Sequence, residues 1–114
     1  MAYAIYDFDI DQGSTFGVDL TFKDTDGTVR NLEDYTATMH LRTSFDEPDT
    51  TDIWNSGHEI TLSATEPNIR LTVSASQTAS YPVGSYEYDL EIEQVGVVEK
   101  VLQGKINVTN EATK

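Results

Sequence analysis

Tyr81-Pro82-Val83-Gly84-Ser85-Tyr86-Glu87-Tyr88-Asp89-Leu90-Glu91-Ile92-Glu93 is the stretch that decides the fold. After a Pro/Gly turn, Tyr86, Tyr88, Leu90 and Ile92 alternate with Glu87, Asp89, Glu91 and Glu93. Side chains of a strand point to opposite faces at a period of two, so this pattern predicts a strand with one buried and one wet face. Residues 95–97 (Val-Gly-Val) then reverse the chain into a last strand, with Leu102, Gly104, Ile106 and Val108 on one face.

The same rhythm extends upstream. Ala4, Tyr6, Phe8 and Ile10 predict a first strand, and Phe16, Val18, Leu20 and Phe22 a second. Asp24-Thr25-Asp26-Gly27 is a turn, followed by a short strand over 28–30. Tyr35, Ala37, Met39 and Leu41 mark the next strand. The period fails over residues 43–58, which read as a long loop or ragged hairpin. Residues 59–63 and 68–74 predict a hairpin with Glu66-Pro67-Asn68 at its bend. Ser74-Ala75-Ser76-Gln77 has capping-box spacing and predicts one helical turn before Pro82. Seven or eight short strands, each with one wet face, imply two antiparallel sheets packed through their other faces: an all-β sandwich with one short helical turn. The chain reads as a single domain over 1–109 with a polar tail at 110–114.

Gly84, Tyr86 and Tyr88 have the layout of the tyrosine corner of immunoglobulin-like sandwiches, where a tyrosine near the start of the penultimate strand bonds back to the preceding connection. Tyr88 stands where such domains often carry a cysteine. An exposed aromatic platform is the competing reading; parity with Leu90 and Ile92 favours core and corner.

Seven basic against twenty acidic residues give a formal charge of −13. That field disfavours phosphate backbones and anionic lipid, and leaves basic protein surfaces as partners. With no cysteine, disulfides, thiolate ligands and a cysteine nucleophile are excluded. The first residues show no basic leader, and no window has the roughly 20 apolar residues of a membrane span.

Chemistry-bearing constellations are weak. His40 and His58 are the only histidines, both expected to face solvent, and no serine is marked as a nucleophile. Asp7, Asp9 and Asp11 sit at strand period, as do the acids of 87–93, and read as solvated stripes. Asp24-x-Asp26-Gly27 lacks the distal ligands of a calcium loop, and the acidic run 46–52 is at most a weak calcium site. Asn107-Val108-Thr109 matches a glycosylation sequon, which without an export signal reads as chance. The expectation is therefore no catalytic residue, no cofactor and no metal. Trp54, with Phe45 and Ile53 nearby, is the candidate partner-contact loop: either an exposed anchor or a plug over the open end of the sandwich.

The chain resembles small immunoglobulin-like β-sandwich proteins encoded among the structural genes of tailed bacteriophages, related to N-terminal domains of baseplate and fibre components. Carrying the resemblance are residues 9–13 (DIDQG), 16–22 (FGVDLTF), 24–27 (DTDG), 32–37 (LEDYTA), 39–42 (MHLR), 60–64 (ITLSA), 81–91 and 104–108 (GKINV). Asp34 and Tyr81 depart from the glycine and leucine often found there. The resemblance implies a non-enzymatic virion protein, assembled in the host cytoplasm, that joins tail, baseplate or neck components or decorates the head. Other virion proteins and further copies of itself are its implied partners. A carbohydrate- or receptor-binding module is the alternative, and an acidic mimic of nucleic acid ranks third.

Overall fold

The computed structural model describes residues 4–43 and 52–110. Its spine is the hairpin of β8 (Gly84–Gln94) and β9 (Val97–Thr109), joined by the two-residue turn Val95-Gly96. On β8, Tyr86, Tyr88, Leu90 and Ile92 are buried, as the alternation predicts. A bulge shifts the pairing between Leu90 and Glu91, so that Leu90 faces Leu102 while Glu91 faces Lys100. Val101 is the extra residue, and it is buried together with its neighbour Leu102.

Around this hairpin lies a larger sheet. β4 (Thr36–Arg42) pairs with β8, and β5 (Asp52–Asn55) pairs with the far side of β4. On the other flank, β1 (Ala4–Ile5) and β2 (Phe8–Asp11) both pair with β9. The second sheet has the order β3 (Phe16–Leu20), β7 (Ile69–Val73), β6 (Ile60–Leu62). Inner faces of both sheets contribute to one core, in which Phe8 lies 5.7 Å from Phe16, and Phe16 lies 6.3 Å from Trp54. The result is an all-β, two-sheet, sandwich-like fold.

Several expectations hold in detail. Ile60 and Leu62 face Leu71 and Ile69. Helix α1 (Ala75–Ala79) is capped by Ser74, whose hydroxyl accepts from the Gln77 amide at 3.2 Å.

Others need correction. The sheets are not purely antiparallel, because β1 and β2 run parallel to β9. Nine strands are present among the described residues, since the first predicted strand is broken in two and β5 emerges from the stretch read as a loop. The short strand expected over 28–30 is reduced to one bridge, Lys23 to Val29. Asn68 explains this ribbon. Its buried amide accepts from the Phe22 N–H at 2.7 Å and donates to the carbonyls of Phe22 and Arg30, both at 2.8 Å. One side chain thus substitutes for a strand partner. The expected polar tail falls, apart from Asn110, outside the described residues.

The break between β1 and β2 has a local cause. Tyr88 is fully buried and its hydroxyl must find an acceptor; it donates to the Tyr6 carbonyl at 2.5 Å. The Tyr6 carbonyl reaches it over Gly104, the residue opposite Tyr88 on β9. A Cβ at Gly104 would sit 2.0 Å from the Tyr6 oxygen. With the Tyr6 carbonyl turned inward, the Asp7 carboxylate accepts the Lys105 amide at 2.9 Å, so the ladder resumes at Phe8 with its register unchanged. Gly104→Ala should therefore lower stability by about 2 kcal/mol or more, because backbone rather than a flexible side chain must move. Denaturant midpoints measure the loss, and amide exchange should quicken first at residues 4–8.

Candidate interaction surface

Trp54 lies on β5 opposite Met39 and is fully buried, so of its two readings the exposed anchor is excluded and the buried one holds. Pairing with β4 turns it into the core beside Phe16. Ile53, next along the strand, faces the other way and stays partly exposed. Phe45 lies outside the described residues.

Burying an indole requires an acceptor for its N–H. Trp54 Nε1 donates to the Tyr81 hydroxyl at 2.9 Å, and that hydroxyl donates in turn to the Asp52 carboxylate. Gln77 completes the cluster: its Nε2 donates to Asp52 Oδ2 at 3.2 Å and Glu59 Oε2 at 3.0 Å. Gln77 thereby ties α1 to β5 and to the residue just before β6. Burial, reinforced by the adjacent Asp52 carboxylate, pushes the Tyr81 hydroxyl up to about 12. The Trp54 N–H, the Tyr81 hydroxyl and the Gln77 amide each have an acceptor here, and the cluster works as an internal clamp. Sequence reading missed it; the sole hint was Gln77 three residues after Ser74.

At the other tyrosine cluster, the Tyr86 hydroxyl donates to the Pro82 carbonyl at 2.6 Å, four residues upstream. Gly84 has φ of 154°, which a side chain would strain. Tyr88 stacks against Phe8 at 5.2 Å between centroids. Neither tyrosine is available as an exposed platform, since both are buried.

The outer face of the larger sheet carries the acidic rows. Asp7, Asp9 and Asp11 meet the Lys105 amide, Asn107 and Thr109 on β9. Asp89 lies 3.8 Å from His40 Nδ1, 3.8 Å from Arg42 and 4.0 Å from Lys100. His40 is thus half-buried beside a carboxylate instead of fully solvated, while His58 is exposed. Among the described residues, no group of three or more His, Asp or Glu is placed to hold a metal.

Apolar exposure concentrates elsewhere. At the β8–β9 turn, Val95, Val97 and Val98 are 96%, 69% and 55% exposed. Along the flank, where Ile5 is exposed, Tyr6 lines a cleft of about 290 Å³ between the sheets with Leu20, Phe22, Ile69, Val101 and Leu102, and Asp19 and Thr21 add polar groups to it. The Arg30 guanidinium sits 4.9 Å from the Phe22 ring centroid and is held by Asp24 at 2.6 Å and Glu99 at 2.8 Å, which keep it firmly charged.

No family model and no curated protein matches the chain. Among solved structures, it is similar to an uncharacterized protein from Bacillus anthracis str. Ames, with 17% identity and a TM-score of 0.39 over 94% of this chain and 85% of that one.

Tyr81→Phe should cost about 1–3 kcal/mol, since the buried Trp54 N–H loses its acceptor. The pH dependence follows from the raised hydroxyl. Protonation favours the folded state, so this contribution is complete below pH 10 and disappears as pH rises from 10.0 towards about 12. Denaturation of wild type and Tyr81→Phe across that window should show a shallower alkaline loss in the variant. Part of the slope should persist, because Tyr86 and Tyr88 are shifted upward too, chiefly by burial.

Proposed function

We propose that this chain is an immunoglobulin-like structural module of a tailed-phage virion, without catalytic activity, that joins or decorates tail, baseplate, neck or head components. The observation carrying this reading is the distribution of apolar surface. A filled core leaves Val95, Val97 and Val98 at one hairpin tip, with Ile5 and Tyr6 along one flank, as contact groups on a rigid body. The bond from Tyr86 to Pro82 has the form of a tyrosine corner and supports the immunoglobulin-like assignment. The sequence resemblance supplies the virion setting.

The carbohydrate-binding alternative needs two or more exposed, coplanar aromatics. Burial of Trp54 removes its leading candidate, and Tyr6 is the large aromatic left well exposed among the described residues.

Mass spectrometry of gradient-purified particles should find the chain at a fixed, near-stoichiometric level. Nanogold on a C-terminal tag should mark one repeated position in micrographs. A chain found only in the unassembled fraction of the lysate would defeat the proposal, and glycan-array binding would restore the alternative.

A further inference from the structure

Beside β6, the edge strand of the smaller sheet, three chain segments converge on a polar pocket of about 440 Å³. Glu33 and Tyr35 come from one segment, Ser56 and His58 from the second, and Ile60 from β6 itself. Backbone bonds fix each of them. In the first, the Leu32 amide donates to the Ser63 carbonyl at 3.1 Å, the Glu33 amide to Asn31 Oδ1 at 2.8 Å and the Tyr35 amide to the Leu32 carbonyl at 3.1 Å. In the second, the Ser56 amide donates to the Ala37 carbonyl at 3.0 Å, while the Ser56 hydroxyl accepts the Ala37 amide at 3.1 Å. The Gly57 amide then donates to the Ile60 carbonyl at 2.9 Å and the His58 amide to the Asn55 carbonyl at 3.1 Å. Ile60, wholly buried, anchors the third segment in the core.

The side chains facing this space are not used in the same way. The Glu33 carboxylate, the Tyr35 hydroxyl and the His58 ring bond to no other group among the described residues. Elsewhere the protein meets many of its acids itself: Arg70 holds Asp19, Arg30 holds Asp24 and Glu99, and Gln77 holds Asp52 and Glu59. The pocket therefore has a preformed frame and unmatched acceptors.

We infer that it receives a cation on a flexible stem, an ammonium or guanidinium group belonging to a basic side chain of a partner protein or to a free polyamine. Three observations select a cation. Glu33 is the pocket's one carboxylate, and neither lysine nor arginine lines it. The chain's formal charge of −13 draws cations in and drives anions away. The Tyr35 ring, partly buried and packed against the core, is a fixed aromatic wall beside that carboxylate, and a cation gains from both. The inference concerns the purified chain and does not depend on its having a place in a virion.

The test follows the backbone amide chemical shifts of the purified full chain at constant ionic strength. One arm adds spermidine, the other a blocked acetyl-Gly-Ser-Arg-Ser-Gly-amide peptide. Saturable shifts are expected at 33–35, 56–58 and 60–62, with a Kd of about 1 mM. Glu33→Gln should weaken binding about fivefold with the melting temperature unchanged, since its carboxylate supports no bond in the fold. Asp26→Asn removes the same charge from an exposed turn outside the pocket and should leave the Kd as it was. Saturation by the peptide assigns the cation to a partner protein, and saturation by spermidine alone assigns it to a free polyamine. Shifts that fail to saturate, or that spread over the acidic rows of β2 and β8, would overturn the inference. Equal weakening by Glu33→Gln and Asp26→Asn would do the same, because it would reduce the effect to general charge.

Discussion

The Tyr88 hydroxyl is the polar group on which the larger sheet is organised. Lying fully inside the core, it has to be answered from within the protein, and the Tyr6 carbonyl answers it. That bond turns the first strand inward at one residue, which only a missing side chain at position 104 permits. It joins residues 82 apart in sequence, tying the N-terminal segment to β8 across β9. The gap between β1 and β2 and the bridging role of Asp7 follow from satisfying this one donor.

Much of the fold was legible because most strands have one wet face. The alternation over 86–93 marked its buried residues correctly, and the β6–β7 pairing and the Ser74 cap were written in local sequence. What escaped was non-local. Strand direction for residues 4–11 depends on which neighbour they join, and alternation is the same for parallel and antiparallel partners. The Asn68 amide stands in for a strand across 46 residues of chain, and nothing near position 68 announces it. The β8–β9 bulge likewise leaves no mark beyond adjacent Val101 and Leu102.

For the interaction surface, composition left two readings of Trp54 open and topology decided between them. A lone tryptophan in a polar, proline-containing stretch has the profile of an exposed anchor, yet pairing of β5 with β4 turns it inward, and Tyr81 and Gln77 supply the polar lining that its indole needs. Conversely, residues 95–98 read only as a tight reversal. Their exposure is visible once β8 and β9 are in register and no strand among the described residues covers the tip. The outward direction of the acidic rows was legible from the pleat, but their solvation was not: the Asp89 side chain is only 16% exposed beside His40, Arg42 and Lys100.

Parallel pairing of the first strands with the last one carries a mechanical consequence. The pairs from Ala4 with Leu102 to Asp11 with Thr109 lie side by side and point the same way. Tension entering at the leading end of β1 and leaving at the trailing end of β9 slides these strands along each other instead of peeling them open. The bonds between them then share the load together, and rupture requires many to fail in one event. Resistance to stretching in this geometry is governed by an unfolding rate, so it can be high even when thermal stability is ordinary.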